Sequence, residues 1–276
     1  LIENRVSIMN NYPQALTIAG SDSGGGAGIQ ADLKTFQERR VFGTSVITAI
    51  TAQNTRGVHD ILNVPLATIR SQLEAVADDF QIRAVKTGML ANAEVMEHVV
   101  ALLQRAHFGP LVVDPVMIAK GGASLLASSA MDALKTQLIP LATVITPNLP
   151  EAQWIVGSPL TTKAEIEEAA KKIQQLGAKN VIIKGGHRLD VSDATDFLRL
   201  ENGDSEWLSK PRVATNRTHG TGCTYSAVIT AELAKGKSVS EAVHLAKDFI
   251  HQAISTPIDV GHGHGPVNHW AYREEA

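Results

Sequence analysis

The amino-acid sequence predicts an α/β protein in which helices cover both faces of a mostly parallel central sheet. Six short runs rich in Val and Ile alternate with longer segments of helical periodicity along the 276 residues. The short runs are almost continuously apolar, which is typical of strands buried on both faces. Parallel strands are joined by crossovers, and these place helices on both sides of the sheet. The pattern therefore predicts a three-layer α/β/α arrangement.

The predicted strands are short and rich in β-branched residues. In chain order they are ALTIA from Ala15, SVITAITA from Ser45, AVKTG from Ala84, LVVDPV from Leu111, TVITP from Thr143 and VIIKGG from Val181. The segments predicted to be helical include TIRSQLEAVADDF, NAEVMEHVVALLQRA and KAEIEEAAKKIQQLG. The last of these ends at Gly177, as expected for a glycine in the C′ position of a helix.

The pattern changes after Gly186. The stretch DATDFLRLENGDSEWLSKPRV predicts a small β-hairpin insertion that turns at Asn202-Gly203, and two more helices are expected beyond it. The chain has no internal repeat, low-complexity tract or linker, so we expect one domain over residues 13–276. Residues 1–12 have no clear pattern, and we expect them to be disordered or foreign to the native chain.

Composition narrows the classes of function. The net charge is −3 without a long run of one sign, which argues against a dedicated nucleic-acid-binding protein. No apolar stretch approaches the length of a membrane span, and no signal-peptide pattern is present. The single cysteine rules out an internal disulfide, so we expect a cytoplasmic protein.

The predicted sheet gathers polar residues at one edge, because ligands of open parallel sheets bind beyond the carboxyl ends of the strands. We expect a site on that edge formed by the loop after Ala19, Gln53 with Asn54, Met89, Asp114, Asn148 with Glu151, and Lys184.

The segment THGTGCTYSAVITAEL, which begins at Thr218, carries the clearest chemical signal. Glycines before a helix let backbone N–H groups converge, and the helix N-terminus adds partial positive charge. Such an anion hole suits the charge that develops on a transferring phosphoryl group. Cys223 lies at this N-terminus, where the pKa of a thiol falls and the thiolate can accept a proton. The alternative is an ordinary glycine loop with a small buried cysteine.

Two further segments admit a catalytic and a structural interpretation. In TPNLPEA, Asn148 and Glu151 offer the oxygen ligands that Mg²⁺ prefers, but the same pair resembles a capping box. Lys184, at the end of a strand, can reach phosphates as a point charge or lie solvated beside a glycine turn. Asp114 can orient a water of the magnesium ion, or satisfy the turn before Pro115.

Other motifs are weaker. The loop SDSGGGAG, which begins at Ser21, looks like a phosphate cradle but lacks the GxGxxG spacing of dinucleotide sites. KGKS at Lys235 follows a helix and lacks the earlier glycine of a P-loop, since Ala231 stands there. His262 and His264 in GHGHG have no further metal ligands in view, so a flexible loop is favoured. The closeness of His219 to Cys223 in sequence leaves a cysteine hydrolase as an alternative of a different class.

Together these stretches resemble the ribokinase-like superfamily, and within it the bacterial hydroxymethylpyrimidine/phosphomethylpyrimidine kinases of thiamine biosynthesis. The matching segments run in family order and are AGSDSGGGAGIQADLKTF, TAITAQNTRGV, VKTGML, VVDPVM, TPNLPEA, VIIKGGH, THGTGCTYSA and GPVNH. Generic kinases of the superfamily carry Asp where Cys223 stands. Two departures are SDSGGG, where many members have SD-Pro-Ser-GG, and AKGGA from Ala119, where AKSGD is commoner.

The resemblance implies a role for each matched residue. The first glycine loop would lie against the pyrimidine, and Gly220, Thr221, Gly222 and Cys223 would form the catalytic hole. The implied substrate-binding residues are Gln53, Asp32, Met89, Gly20 and Val116. Lys184, Asn148 and Asp114 would serve the nucleotide phosphates. Glu151 and Asp114 would bind magnesium, the latter through water.

The resemblance also implies an activity. We expect a magnesium-dependent ATP kinase, acting as a homodimer on hydroxymethylpyrimidine and then on its monophosphate, without nucleic-acid or membrane partners. The runner-up is a pyridoxal kinase of the same branch, because pyridoxal also carries a hydroxymethyl group on a flat heteroaromatic ring. Those pyridoxal kinases tend to have Met at the position of Gln53, which suits a ring without the amino edge.

Overall fold

A computed structural model describes residues 11–106, 108–117, 128–186 and 192–272. Its strands are β1 Gln14–Asp22, β2 Phe42–Asn54, β3 Gly57–Asn63, β4 Ile82–Thr87, β5 Leu111–Val113, β6 Val144–Ile145, β7 Asn180–Ile183, β8 Asp193–Arg199 and β9 Ser205–Pro211. Its helices are α1 Gly28–Glu38, α2 Leu66–Asp79, α3 Ala93–Leu103, α4 Ser128–Ala133, α5 Leu149–Val156, α6 Lys163–Gln175, α7 Thr221–Ala234 and α8 Val239–Ser255.

The strands form one sheet in the order β3-β2-β1-β4-β5-β6-β7-β8-β9. The six strands from β2 to β7 in this order run parallel, while β3 at one edge and β8 and β9 at the other are antiparallel to their neighbours. The carboxyl ends of the six parallel strands therefore meet on one edge, where the polar residues singled out in the sequence lie.

Two apolar clusters lie on opposite faces of the sheet. Alternate strand residues divide between them: Val85 and Val113 belong to the cluster with α2, α3, α5 and α6, while Ala84 and Val112 belong to the cluster with α7 and α8. The helix α1 joins the second face through Phe36. Burial on both faces explains the continuous apolar strand sequences and gives the three-layer fold that the sequence predicts.

The six predicted strands and the main predicted helices are present, with shifted ends. The helix α6 begins at a capping box formed by Thr162 and Glu165, and Gly177 follows it with φ +115°. The hairpin β8–β9 turns through residues 200–204 and extends the sheet. We did not predict β3, which lies entirely exposed against β2.

Two sequence expectations fall outside the described residues: most of the segment 1–12, and AKGGA from Ala119. No helix in the described parts of the chain is both long and apolar enough to cross a membrane.

Candidate active site

The glycine-rich loop after β1 closes on its own aspartate. The buried Asp22 carboxylate accepts hydrogen bonds from the backbone N–H groups of Gly24 (2.8 Å), Gly26 (3.2 Å) and Ala27 (2.9 Å). Burial raises the pKa of Asp22, but the opposing effects of His219 and of the N–H groups of Gly24 and Ala27 leave it below its usual value, so the carboxylate is charged. The loop amides that could bind a phosphate are therefore already occupied.

The glycine pair before α7 forms a second, more open turn. Gly220 has φ +80°, and a Cβ atom there would lie 1.8 Å from the carbonyl oxygen of Gly26, so only glycine fits. At Gly222 a Cβ atom would point toward Lys184 Nζ at 3.4 Å and Asp114 Oδ2 at 3.8 Å. The N-terminus of α7 therefore faces a lysine and a carboxylate across a narrow space, and Thr221 in its first turn donates its hydroxyl proton to the carbonyl of Thr218.

Lys184 and Asp114 form the charged centre of this space. Lys184 Nζ lies 3.2 Å from Asp114 Oδ1, and the hydroxyls of Thr146 and Ser226 also donate to the carboxylate, each at 3.2 Å. Burial raises the pKa of Asp114, but Lys184 and Lys86 outweigh it and the net pKa is lowered. Burial likewise lowers the pKa of Lys184, and Asp114 and Glu151 reverse this to a net rise. Both groups are thus charged at neutral pH.

The capping-box interpretation of Asn148 and Glu151 is confirmed. The Asn148 side chain accepts from the Glu151 N–H at 2.9 Å, and Glu151 accepts from the Asn148 N–H at 2.8 Å. This cap differs from an ordinary one because Glu151 is buried near Lys184 and Asp114. Burial, with the charge of Asp114, raises the pKa of Glu151 to about 7 despite the opposing Lys184. One pair of residues therefore both begins α5 and faces the charged centre.

The expectation for the pKa of Cys223 is wrong. Burial raises the pKa of this half-buried thiol to about 11, and the charge of Lys86 and a hydrogen bond from Gly28 only partly offset it. The helix N-terminus does not compensate for the loss of water around the sulfur. Cys223 is therefore a neutral thiol at physiological pH.

Asp32 is misplaced in the sequence-based prediction. Its carboxylate is fully buried, binds Lys86 Nζ at 2.9 and 3.0 Å and accepts from the Thr17 hydroxyl at 2.7 Å. It therefore has no surface for a substrate, and it neutralises a lysine whose charge reaches Cys223. We did not predict a role for Lys86, although a lysine within an otherwise apolar strand signals a buried ion pair.

The other predicted substrate residues lie at the ends of neighbouring strands. A Cβ atom on Gly20 would lie 2.6 Å from Met89 Cε, so these two residues touch at the ends of β1 and β4. Val116 lies half-buried just beyond β5. Gln53, half-buried near the end of β2, has its Nε2 atom 3.3 Å from His219 Nε2.

His219 belongs to this group rather than to Cys223. Its Nε2 atom lies 2.8 Å from Asp22 Oδ2, and within the described residues no hydrogen bond joins it to the Cys223 thiol. A hydrolase dyad is therefore absent from the described structure. The exposed His262 and His264 likewise join no group of metal ligands in the residues that the structure covers.

A glycine hole that faces Lys184 and Asp114, with a cysteine at the helix N-terminus, suits phosphoryl transfer. Residues 22–268 match the family model described as phosphomethylpyrimidine kinase. The chain belongs to the phosphomethylpyrimidine kinase family. It is a phosphotransferase and not a cysteine hydrolase.

Individual relatives refine the placement within the family. A hydroxymethylpyrimidine/phosphomethylpyrimidine kinase of Haemophilus influenzae is 60% identical over 266 residues, covering 96% of this chain and 99% of the relative. A Bacillus subtilis pyridoxal kinase, solved as an ADP complex, is 43% identical with a TM-score of 0.87, covering 95% and 98% of the two chains. A Staphylococcus aureus pyridoxal kinase, solved with AMP-PCP and pyridoxal, is 37% identical with a TM-score of 0.87, covering 95% of each chain.

Proposed function

We propose that the protein transfers a phosphoryl group from ATP to the hydroxymethyl group of 4-amino-5-hydroxymethyl-2-methylpyrimidine, and then a second one to the resulting monophosphate. The observation that carries the proposal is the open turn at Gly222, which faces Lys184 and Asp114 in a chain that is 60% identical to a kinase of that name. The diphosphate is the form required for thiamine assembly. The second phosphoryl transfer uses the same hole, because both acceptors end in an oxygen on the same arm.

Transfer relies on positioning and on charge. Phosphoryl transfer has a loose transition state whose charge lies on the equatorial oxygens. The backbone N–H groups at Gly220 and Gly222 and the ammonium of Lys184 would stabilise that charge without reorganising. The oxygen of Asn148 is used in the cap, and its amide N–H groups donate to no group within the described residues, so they would be available to a nucleotide phosphate. Met89, Gly20 and the half-buried Val116 would pack on the pyrimidine ring.

Cys223 accepts the proton of the substrate hydroxyl in its thiolate form as the new P–O bond forms, and this returns the side chain to the neutral thiol. A pKa of about 11 keeps that thiolate a small minority at neutral pH. The charged Lys86 stabilises the thiolate and so favours the reactive form. The pair Lys86 and Asp32 is thus a support for Cys223, in place of the substrate contact first expected of Asp32.

Two carboxylates fit a magnesium ion. Asp114 is charged and tied to Lys184, while Glu151 has a pKa near 7 that a nearby dication would lower. No group of three or more His, Cys, Asp or Glu side chains able to hold a metal occurs in the described ranges, so these two would hold Mg²⁺ through water beside the ATP phosphates. When bound, the ion neutralises charge on the phosphates.

Gln53 distinguishes a kinase of the aminopyrimidine from a pyridoxal kinase. A carboxamide pairs with a ring nitrogen and the adjacent amino group, which pyridoxal lacks. We expect kcat/KM to favour the aminopyrimidine over pyridoxal in the wild type, and Gln53→Met to reduce the aminopyrimidine value by about 30- to 1,000-fold, equivalent to two lost hydrogen bonds of ~1–2 kcal/mol each. Pyridoxal turnover should change little. A wild-type preference for pyridoxal would reverse the choice of substrate.

We also propose a cytoplasmic homodimer. ATP supply and an unpaired thiol suit the cytoplasm. The exposed strand β3 and the neighbouring part of β2 carry large apolar side chains, including Ile50, Val58, Ile61 and Leu62, and such a surface is typical of an interface. Light scattering should give twice the mass of one chain, and Leu62→Glu should yield a monomer. A wild type with the mass of a single chain would contradict the proposed homodimer.

A further inference from the structure

Asp196 is a buried carboxylate in β8 that the proposed reaction does not use. Its Oδ2 atom lies 2.7 Å from Nζ of Lys247, a buried lysine on α8. Its Oδ1 atom accepts a hydrogen bond from the backbone N–H of Gly185 at 2.9 Å. Each carboxylate oxygen therefore has a donor of its own, and the side chain joins α8 to the residue that follows Lys184.

The bond to Gly185 completes the fixation of the Lys184 backbone. The N–H of Lys184 donates to the Pro147 carbonyl at 2.8 Å, and the carbonyl of Lys184 accepts from the Leu149 N–H at 3.2 Å. That carbonyl and the N–H of Gly185 belong to one planar peptide unit, and its two polar groups point in opposite directions. The start of α5 therefore holds this unit on one side, and Asp196 holds it on the other.

The carboxylate takes the place of a strand partner at this point. Antiparallel pairing of β7 with β8 runs as far as Ile183 and Phe197. Just beyond that pair, a Cβ atom on Gly185 would lie 1.9 Å from the carbonyl oxygen of Thr195, so only glycine fits. Because glycine has more conformational freedom than any other residue, the peptide unit between Lys184 and Gly185 needs a hydrogen-bond partner to keep one orientation.

The side chains of Lys184 and Asp196 lie on the same face of the sheet, the one that α7 and α8 cover. Ile182 and Leu198, each two residues away from one of them, belong to the apolar cluster with those helices, and alternate residues of a strand share a face. On this face the ammonium of Lys184 lies 3.2 Å from Asp114. A rotation of the peptide unit after Lys184 moves this ammonium, because the side chain and the peptide unit share one Cα atom.

We propose that Asp196, held by Lys247, is a positioning residue for phosphoryl transfer. By fixing the peptide unit between Lys184 and Gly185, it keeps the Lys184 ammonium directed at the nucleotide phosphates. The inference rests on the proposed function, in which Lys184 binds those phosphates. Lys247 pairs with Oδ2 and so leaves Oδ1 for Gly185.

The test compares two double variants that both lack the ion pair. Asp196→Asn/Lys247→Met keeps an oxygen that can accept from the Gly185 N–H, whereas Asp196→Leu/Lys247→Met has an apolar group of similar shape in its place. The control, Arg39→Met/Glu232→Gln, removes another buried ion pair, which lies near the opposite end of α7. Calorimetry gives the Kd of the ATP analogue AMP-PCP with Mg²⁺ and the Kd of the aminopyrimidine, and urea denaturation gives the stability of each variant.

We expect Asp196→Leu/Lys247→Met to bind AMP-PCP about 5- to 50-fold more weakly than Asp196→Asn/Lys247→Met, as for a buried N–H group that has lost its acceptor. The aminopyrimidine should bind equally to both. The control should lose stability in urea and still bind AMP-PCP like the wild type. When Lys184→Met is added, the difference between Asn and Leu at position 196 should vanish, because Asp196 acts through Lys184.

Three results overturn the proposal: equal AMP-PCP affinity in the two double variants, a difference that persists with Lys184→Met, and a parallel weakening of both ligands, which a merely structural role produces. If the leucine variant does not fold, Asp196→Asn alone supplies the comparison. The buried ammonium of Lys247 then takes the carboxamide oxygen, Gly185 loses its acceptor and AMP-PCP binds more weakly, while adding Lys247→Met restores binding. A lack of such restoration also overturns the proposal.

Failure of the proposed function gives a different result. A wild type that transfers no phosphoryl group to the pyrimidine, while the two double variants differ in AMP-PCP affinity as expected, contradicts the proposed reaction and leaves the role of Asp196 supported. A wild type that phosphorylates the pyrimidine, with equal AMP-PCP affinity in the two double variants, contradicts only the role of Asp196. A wild type that binds no AMP-PCP contradicts both.

Discussion

At the residue scale, Asp22 shows why a glycine-rich loop is ambiguous in sequence. Backbone N–H groups that converge on one point need an anionic acceptor, and either a phosphate or a carboxylate of the chain satisfies them. Here the carboxylate does so, at 2.8–3.2 Å from three N–H groups. The turn at Gly220 and Gly222 has no such internal acceptor among its described contacts. This difference supports the proposal that the turn at Gly220 and Gly222, rather than the loop at Asp22, binds phosphate.

The same scale gives a direct test of Cys223. The chain contains one cysteine, so alkylation by iodoacetamide reports on this thiol alone. Burial favours the neutral thiol and raises its pKa to about 11, above the value of about 8.5 for a free cysteine. The rate of alkylation should therefore rise about tenfold per pH unit from pH 7 to 10 without levelling off. A plateau below pH 9 would contradict the raised pKa and would support the original expectation that Cys223 is a thiolate with a lowered pKa.

At the element scale, the start of α5 combines a structural cap with the charged centre. The cap of α6 uses the same pattern, with Thr162 and Glu165, but its glutamate is exposed and its pKa is lowered to about 2 by hydrogen bonds from Thr162 and Thr161. Glu151, by contrast, is buried and has a raised pKa. Two capping boxes of the same pattern therefore contain glutamates whose pKa values shift in opposite directions, because one glutamate is buried and the other is exposed.

This difference predicts opposite effects of one substitution. Glutamine preserves a capping box. In the folded chain Glu151 binds its proton more tightly than in the unfolded chain, so its contribution to stability is present below pH 4.5 and is lost as the pH rises toward 7. At pH 8 without nucleotide, Glu151→Gln should raise the free energy of unfolding by on the order of 2 kcal/mol, with little change at pH 4.5. Urea denaturation at the two pH values measures this.

Activity completes the comparison. We expect Glu151→Gln to reduce kcat with ATP and Mg²⁺ by at least about tenfold, because a neutral amide binds magnesium-bound water weakly. The matched control Glu165→Gln should retain full activity and should lower rather than raise stability at pH 8, since its folded-state pKa is depressed. A fully active Glu151→Gln variant would show that Glu151 only caps α5 and has no role in catalysis.

At the scale of the whole molecule, the topology joins the two ends of the chain. The strand β1 is the third of nine strands in the sheet and α7 packs against the same face, so Asp22 at the end of β1 contacts His219 just before α7. Sequence patterns predicted the layers, the parallel strands and the edge that gathers Gln53, Met89, Asp114 and Lys184. These depend on apolar periodicity and strand direction, which are local signals.

Other features could not be read from local patterns. Three features depend on which side chains face each other across separate elements. They are the buried ion pair of Asp32 with Lys86, the hydrogen bonds from the glycine-rich loop to Asp22, and the raised pKa of Cys223. The strand β3 escaped prediction because the apolar residues of GVHDILN are mixed with polar ones and every position is exposed, so it lacks the continuous apolar run of a strand buried on both faces. Tertiary context decides such cases.

The most direct test of the proposed function follows its products by mass spectrometry. The protein is incubated with ATP, Mg²⁺ and 4-amino-5-hydroxymethyl-2-methylpyrimidine, beside two variants: Gly222→Val, which places a side chain against Lys184 and Asp114, and Gly57→Val, at a glycine with open space around it. We predict that in the wild type and Gly57→Val the monophosphate appears first and then declines as the diphosphate accumulates, while Gly222→Val forms neither. Absence of any phosphorylated pyrimidine in the wild type, or wild-type rates in Gly222→Val, would contradict this account.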